Sequence, residues 1–391
     1  MKIALVSCYF IDNYGSILQS YATQKVFRYF GAECDTVAAE KLLPGLRKAK
    51  ARYYCRNLWR VGLLRSKLPK FWLAVMQKTG FRQMNVIAKQ RHERFDAFRS
   101  RLQYTRACDS FETLRQLSKE YDAVVLGSDQ LWRPDNIFPG YYTLEWVAPK
   151  VKRMALATSF GVSQLDRASR KRAEAFLPKF ASISVREPEG AAIVQALTGK
   201  EAAVVCDPVL LLSSAEWKTL ADTSLCPNED YIFTYFLGTE KRNRTFAWAL
   251  AAETGLPIVS VPFVDCYRKE DTRADYCFPA CSPEQFLGLL MNAKYVCTDS
   301  FHASAFSVLF EKQFFAFRRF HTKSGNTNGR VLAFLRQLRL QRQEIANGAF
   351  TPECLRPIDY GPVRCELESM RQQTFDFLKQ EILCKPEVRE R

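Results

Sequence analysis

The chain has 391 residues, 47% of them hydrophobic, so it is too long for one ordinary core and apolar enough for a globular protein of two domains. Its 57 Lys and Arg against 41 Asp and Glu give a net charge of +16. Residues 41–100 hold sixteen of those basic residues against only Glu93 and Asp96, so the basicity belongs to one segment and not to the fold.

The opening "MKIALVSCYF" is short, lacks a small-residue cleavage site and runs straight into Asp12, so no secretory signal is expected. No run of about 18 apolar residues offers a membrane span. The thirteen cysteines are scattered singly in apolar contexts, as expected of buried thiols in a reducing cytoplasm. Cys277 and Cys281 in "CFPAC" have neither a second pair nor a nearby histidine, and no metal site is expected.

In chain order, "KIALVSCYF" predicts a strand and "SILQSYATQKVFRYFG" a helix, with Ile17, Leu18, Tyr21, Val26 and Tyr29 on its apolar stripe and Gly31 as its C-terminal cap. "CDTVAA" returns as a second strand, a βαβ opening that implies a parallel sheet. The basic segment 41–100 then mixes Arg and Lys with Trp59, Leu63, Leu64, Phe71, Trp72 and Met76, in the manner of amphipathic helices. "YDAVVLGSDQLW" and "RMALATSFG" each read as strand then turn, "ISVREPEGAAIVQALTG" as strand then helix, and "AAVVCDPVLLL" as the strand that leaves the first domain.

The pattern repeats. "YIFTYFLG", "PIVSVPF", "KYVCTD" and "QFFAF" predict strands, alternating with helices in "TFAWALAAETG", "SPEQFLGLLMNA" and "HASAFSVLF"; helices in "GRVLAFLRQLRL" and near 361–384 close the chain. Alternating strands and helices give an α/β fold with a boundary near 212: domains 1–212, carrying the basic insert at about 41–100, and 213–391.

Open parallel sheets bind ligands beyond the carboxyl ends of their strands. The reactive residue types gather at that edge: Asn13, Tyr14 and Gly15; Ser128, Asp129, Gln130 and Trp132; Arg186 and Glu187; and Asp299, Ser300 and His302. Any one turn has a structural explanation, since Ser16, Ser128 and Ser300 suit helix caps and Trp132 suits packing. Their clustering favours function. Of the three histidines, His92 lies in the basic segment and His321 follows "FAFRRF". His302 sits just inside a helix after a buried strand, where an imidazole can hold or deliver a proton. The competing explanation is a histidine that only bonds a neighbouring carboxylate such as Asp299.

In order, "NYGSILQSYA", "YDAVVLGSDQLW", "ATSFG", "SVREPEG", "CDPVLLL", "TDSFHASAFSVLFEKQFFAF" and "GRVLAFLRQLRL" resemble the polysaccharide pyruvyl transferases across most of the chain except 41–100. The resemblance implies two facing Rossmann-like domains in the glycosyltransferase-B arrangement, with the active site in the cleft between them. It further implies transfer of a pyruvyl group from phosphoenolpyruvate, as co-substrate, to two hydroxyls of a sugar, forming a cyclic ketal with no cofactor and no metal. On that resemblance His302 transfers the proton, with Asp299 beside it, and Arg186 neutralises phosphate or carboxylate. Many relatives carry an arginine where this chain has Ser300, so the missing cation is sought at Arg186, Arg318, Arg319 or Lys323. Asn13, Tyr14, Gly15 and Gln19, with Ser128, Asp129, Gln130 and Trp132, are candidates for the cleft and the acceptor: Asn13 for a hydroxyl, Tyr14 for a flat face under a sugar, Gly15 for close backbone approach.

Acceptors in such pathways are often lipid-linked, which would give residues 41–100 a use as peripheral contacts with an anionic membrane at its cytoplasmic face. The alternative for that segment is a helical insert packed on the first domain. Two other functions fit the composition: a nucleotide-sugar glycosyltransferase of similar architecture, and a non-catalytic basic module, with no specific nucleic acid expected.

Overall fold

The computed structural model describes residues 1–56, 82–263, 269–319, 329–346 and 348–383. Apolar β-branched runs form the strands of two wholly parallel sheets. The first contains β1 (Lys2–Val6), β2 (Glu33–Thr36), β3 (Ala123–Leu126), β4 (Lys152–Thr158), β5 (Ser182–Val185) and β6 (Ala203–Val204), in the spatial order β2-β1-β3-β4-β5-β6. The second contains β7 (Ile232–Tyr235), β8 (Ile258–Ser260), β9 (Tyr276–Cys277), β10 (Tyr295–Thr298), β11 (Gln313–Phe317) and β12 (Glu344–Ile345), in the order β12-β11-β10-β7-β8-β9. These are two Rossmann-like sheets, as expected.

The first-lobe helices are α1 (Tyr14–Tyr29), α2 (Leu43–Arg56), α3 (Arg82–Arg99), α4 (Phe111–Ser118), α5 (Pro134–Ile137), α6 (Arg167–Phe176) and α7 (Pro188–Thr198). The second lobe adds α8 (Ser214–Leu220), α9 (Lys241–Thr254), α10 (Pro283–Asn292), α11 (Phe301–Leu309), α12 (Gly329–Gln337) and α13 (Tyr360–Leu383). Sheet growth reverses between β1 and β3 in one lobe and between β7 and β10 in the other. Such reversals open the crevices in which α/β proteins bind ligands.

Two short strands, β9 and β12, carry no apolar run to announce them. "CDPVLLL" also differs from the strand expected there. Asp207 accepts from the Val209 amide at 3.1 Å and caps a 3-10 turn over Pro208–Leu210, buried between α1 and α11. That turn is the floor where the lobes meet, and a continuous apolar cluster joins Ile3, Leu5 and Tyr14 to Phe233, Phe286 and Phe306. The last helix crosses back: Thr374 Oγ1 accepts from the Cys206 amide at 3.0 Å, and Lys152 Nζ lies 2.7 Å from Glu381 Oε2 on the first lobe's sheet.

The second half of the basic segment is structural. In α3, Phe95 and Phe98 are fully buried, and the arginines span the joint. Arg91 donates to the Tyr14 hydroxyl at 2.8 Å and to the Pro279 carbonyl at 3.2 Å, Arg94 to the Ala280 carbonyl at 2.7 Å, and Arg101 to Glu284 at 3.1 Å. His92 Nδ1 sits 2.9 Å from Asp12. Trp59, Leu63, Leu64, Phe71, Trp72 and Met76 lie outside the described residues.

The first half is tied down by a buried carboxylate. Asp135 in α5 takes Lys50 Nζ at 2.8 Å and Arg133 Nε at 3.0 Å. Burial alone would raise its pKa, but Arg133 and Lys50 hold it well below the usual carboxylate range. A depressed folded pKa contributes stability that is fully present above the unfolded value of about 3.9 and is lost as pH falls through the folded one. Asp135→Asn is therefore expected to cost about 3 kcal/mol at pH 7 and to flatten the fall of the melting temperature below about pH 4, checked by thermal unfolding across pH. An unchanged melting temperature at pH 7 would contradict this role.

Candidate active site

The ends of β1, β3, β5, β6 and β10 and the starts of α1 and α11 converge at the joint. After β1, Asn13 caps α1 by accepting from the Ser16 amide at 3.2 Å. After β10, Ser300 caps α11 by accepting from the Ala303 amide at 3.4 Å, which places His302 in the first turn of α11. The two helix starts nearly touch: a Cβ on Gly15 would lie 2.1 Å from His302 Nδ1. Glycine is required at position 15 by the imidazole of the opposite lobe, because the position has no positive φ to explain it.

The imidazole faces a carboxylate of the first lobe. His302 Nε2 lies 3.4 Å from Asp207 Oδ2, which also accepts from Arg186 Nη1 at 2.7 Å and Ser128 Oγ at 2.6 Å. Asp207 is fully buried. Burial raises its pKa, yet the His302 charge and contact, with Arg186 and Ser128, hold it well below the ordinary value. The carboxylate is thus ionised, between the Arg186 guanidinium and the His302 ring. His302 is 7% exposed and Arg186 4%, and both keep a buried donor, Nε2 and Nη2, with no aligned hydrogen-bond partner among the described residues. Buried donors are rarely left so. Arg186 also lies 4.2 Å over the Phe301 ring and 3.3 Å from Glu187.

The turn after β3 supplies Asp129, held at φ +90° although it is not glycine. The surrounding contacts force that conformation: its carbonyl accepts from the Ser159 amide at 2.9 Å, pinning the turn to the end of β4. Its carboxylate accepts from Ser16 Oγ at 2.8 Å and the Gln130 amide at 2.7 Å. Burial raises its pKa, but His302, Arg186 and Arg330 bring the net value below the usual one.

Beside this cluster opens a cleft between the lobes, lined by Phe160–Ser163, Glu187, Glu189 and Gly190 of the first and Gly329 and Arg330 of the second. With the Gln130 amide turned so that its oxygen faces Arg330, that neutral oxygen accepts from Nη1 at 3.1 Å and Nε at 2.8 Å. Burial, then the charge of Arg186, pushes the Arg330 pKa down to about 9, so Arg330 remains a cation at neutral pH without full compensation. Glu187 joins this cleft to the cluster: it lines the wall, its carboxylate lies 3.3 Å from Arg186, and Arg186 shares Asp207 with His302.

The polysaccharide pyruvyl transferase family matches residues 13–320. The chain belongs to this family. No curated relative matches its sequence. Among solved structures it is similar to a UDP-GlcNAc 2-epimerase from Methanocaldococcus jannaschii (10% identity, 95% of this chain and 93% of that one, TM-score 0.48). Others are an E. coli heptosyltransferase with ADP (14%, 95% and 100%, 0.39) and a glycosyltransferase from Streptomyces nogalater (11%, 96% and 95%, 0.43).

In this pyruvyl transferase His302, Arg186, Ser128, Asp129 and Gly15 come together, and Gln130 reaches them through Arg330. Other expected residues have different places. Asp299 is turned away from His302: its oxygens accept from the Leu237 amide at 2.7 Å and the Gly238 amide at 2.8 Å, closing the β7–β10 crevice. Tyr14 has no face for a sugar, being fully buried with Phe286 stacked at 4.2 Å, Arg91 at 4.5 Å and its hydroxyl donating to the Cys281 carbonyl at 2.8 Å. Gln19 is buried within α1, bonded to the Ser16 carbonyl at 3.0 Å. Trp132 packs against Phe160 and donates to the Tyr142 carbonyl at 3.2 Å. Arg318 pairs with Glu344 at 2.7 Å, while Arg319 donates to the Asp299 carbonyl at 3.1 Å. Lys323 and His321 lie outside the described residues. Asp207 and Arg330 had not been expected. The signal for Asp207 was its place in "CDPVLLL", and for Arg330 its place at the start of a helix, the end that favours anions.

Among the described residues no helix is long and apolar enough to cross a membrane.

Proposed function

We propose that the protein transfers the pyruvyl group of phosphoenolpyruvate to two hydroxyls of one sugar residue, forming a cyclic ketal and releasing phosphate. The observation that carries this reading is the buried cluster in which His302 Nε2 and Arg186 share the ionised Asp207 where the lobes meet, with Arg186 Nη2 left without a hydrogen-bond partner among the described residues. An imidazole beside guanidinium donors suits a ligand that takes a proton and carries negative charge.

In this mechanism Arg186 and Arg330 hold the donor's carboxylate and phosphate. His302 gives a proton to the methylene carbon of the enol, the C=C electrons form the new C–H bond, and the adjacent carbon becomes oxocarbenium-like. One sugar hydroxyl attacks that carbon and loses its proton to the Asp129 carboxylate, which Ser16 Oγ and the Gln130 amide hold in place. Phosphate then leaves with its bonding electrons and carries off the proton held by Asp129, the second hydroxyl closes the ring, and its proton returns to the imidazole, so that His302 and Asp129 are both restored. Asp207 stays ionised throughout and stabilises the imidazolium from which each cycle begins. The role expected of an arginine at Ser300 falls to Arg330, since Ser300 is spent on capping α11.

The test is incubation with phosphoenolpyruvate and a panel of lipid-linked and synthetic glycans, following phosphate release and a mass gain on the sugar. Consumption of a sugar nucleotide with phosphoenolpyruvate untouched would overturn the reading in favour of glycosyl transfer. Arg330→Gln is expected to raise KM for phosphoenolpyruvate by about ten- to a hundred-fold, the worth of one charged hydrogen bond, with a smaller change in kcat. Steady-state kinetics check it, and an unchanged KM would remove Arg330 from donor binding.

A further inference from the structure

The fold brings together two basic helices that are 110 residues or more apart in sequence. α2 follows the carboxyl end of β2, α5 that of β3 and α6 that of β4, so all three lie toward the sheet edge that bears the cleft, and α5 packs against both α2 and α6. The buried residues of α6 are Ser169, Ala173 and Phe176, which leaves Arg167 and Lys171 exposed on the remainder of the helix. In α2 Tyr53 is buried and Lys50 reaches Asp135, while Arg47, Lys48, Arg52 and Arg56 are exposed.

The acids of this region are already used. Glu174 is paired with Arg170 at 3.1 Å, Glu145 with Arg172 and with Lys179 at 3.3 Å, and Asp135 with Lys50 and Arg133; Asp166 caps α6. Arg47, Lys48, Arg52, Arg56, Arg167 and Lys171 make no ion pair among the described residues. Two exposed rings accompany them. Phe138, 37% exposed, stacks on Tyr53 at 4.7 Å beside α2, and Phe111, 41% exposed, lies near Gly140 and the Arg172 guanidinium. The segment Phe160–Ser163 on the cleft wall leads directly into α6.

We propose that the unpaired cations of α2 and α6, with Phe138 between them, form a docking surface for an anionic lipid bilayer that brings the cleft mouth to the membrane. Uncompensated arginines and lysines with exposed aromatic rings match negative headgroups over an apolar boundary. A nucleic-acid duplex, its bases already stacked, would take the charges but leave the rings without a role. This inference does not depend on which donor the enzyme uses.

The discriminating element is α6, which lies outside the basic segment of the sequence. Full-length protein is sedimented with vesicles of phosphatidylcholine alone and of phosphatidylcholine with phosphatidylglycerol. Binding is expected only to the second, weakening with salt. Arg167→Gln/Lys171→Gln should lower the partition coefficient by about five-fold per cation removed. Lys218→Gln/Lys379→Gln, which removes the same charge from exposed sites on α8 and α13, should leave it unchanged. Equal binding to neutral vesicles, no effect of the α6 pair, an equal loss in the control pair, or binding to duplex DNA without binding to vesicles would each overturn the proposal. All four substitutions are at exposed positions, and an unaltered melting temperature confirms that folding is not the cause.

Discussion

His302→Ala is expected to lower kcat by about a thousand-fold or more while leaving the folding stability within about 1 kcal/mol of the parent. A positioned general acid is worth about 10² to 10⁴ in rate, and here the same proton creates the electrophile, so the upper part of that range applies. Removing the ring exposes Asp207 to only one cation, Arg186, which with Ser128 still satisfies the carboxylate. Steady-state rates and thermal unfolding measured on the same preparation check both halves. Retention of full turnover would dismiss the imidazole as the acid. His302→Asn tests shape against chemistry, since it keeps a polar group of similar reach without a titratable proton.

Gly15→Ala is expected to cost about a hundred-fold in kcat through one methyl group. In an α-helix with ordinary backbone angles Ala is better than Gly by about 1 kcal/mol, so local propensity alone predicts a more stable protein. The added Cβ would meet His302 Nδ1 at 2.1 Å and Cγ at 2.4 Å, and either the ring or the lobe must move. A displacement of about 1 Å at a reacting group is worth about a hundred-fold in rate. The double variant Gly15→Ala/His302→Ala isolates the cause: with the ring gone, the melting temperature should recover to the parent's or above it. A stabilised, fully active Gly15→Ala would show that the two helix starts do not meet as described.

Both variants concern a joint whose parts differ in how openly the sequence shows them. Runs such as "KIALV" and "AVVL" declare buried parallel strands because both faces need apolar side chains, and each is followed by the turn that carries a site residue. Arg186, Asp129 and His302 were legible for that reason. Asp207 was not, because a carboxylate after an apolar run reads as a strand leaving its sheet; that the following turn folds under α11 is a tertiary fact. Tyr14 was misjudged in the opposite sense. A tyrosine beside a glycine at a strand end resembles a sugar platform, but the phenol is stacked on Phe286 of the other lobe and bridges the two by its hydroxyl. Asp299 follows the same logic: two backbone amides of the β7 turn claim its oxygens, and nothing in "TDSFH" reveals them. Arg330 stands at the head of an amphipathic helix, where a cation is ordinarily solvated, and only the fold sets it on Gln130 across the cleft.

The basic segment divides in a similar way. Its second half, α3, carries buried phenylalanines on one side and arginines that end on carbonyls of the opposite lobe, so charge that looked like a surface feature is an inter-lobe strap. In its first half Arg47, Lys48, Arg52 and Arg56 make no ion pair among the described residues, and they find neighbours in α6, which no reading by sequence proximity would have joined to them.

The most direct measurement is the reaction run in deuterium oxide with phosphoenolpyruvate and an accepted glycan, followed by mass and NMR analysis of the methyl group on the ketal. Protonation of the enol by a solvent-exchanged imidazole places a single deuterium in that methyl, and His302→Ala should form no such product. A glycan that gains a sugar unit with no pyruvyl methyl, or deuterated ketal formed at the parent rate without His302, would contradict the account.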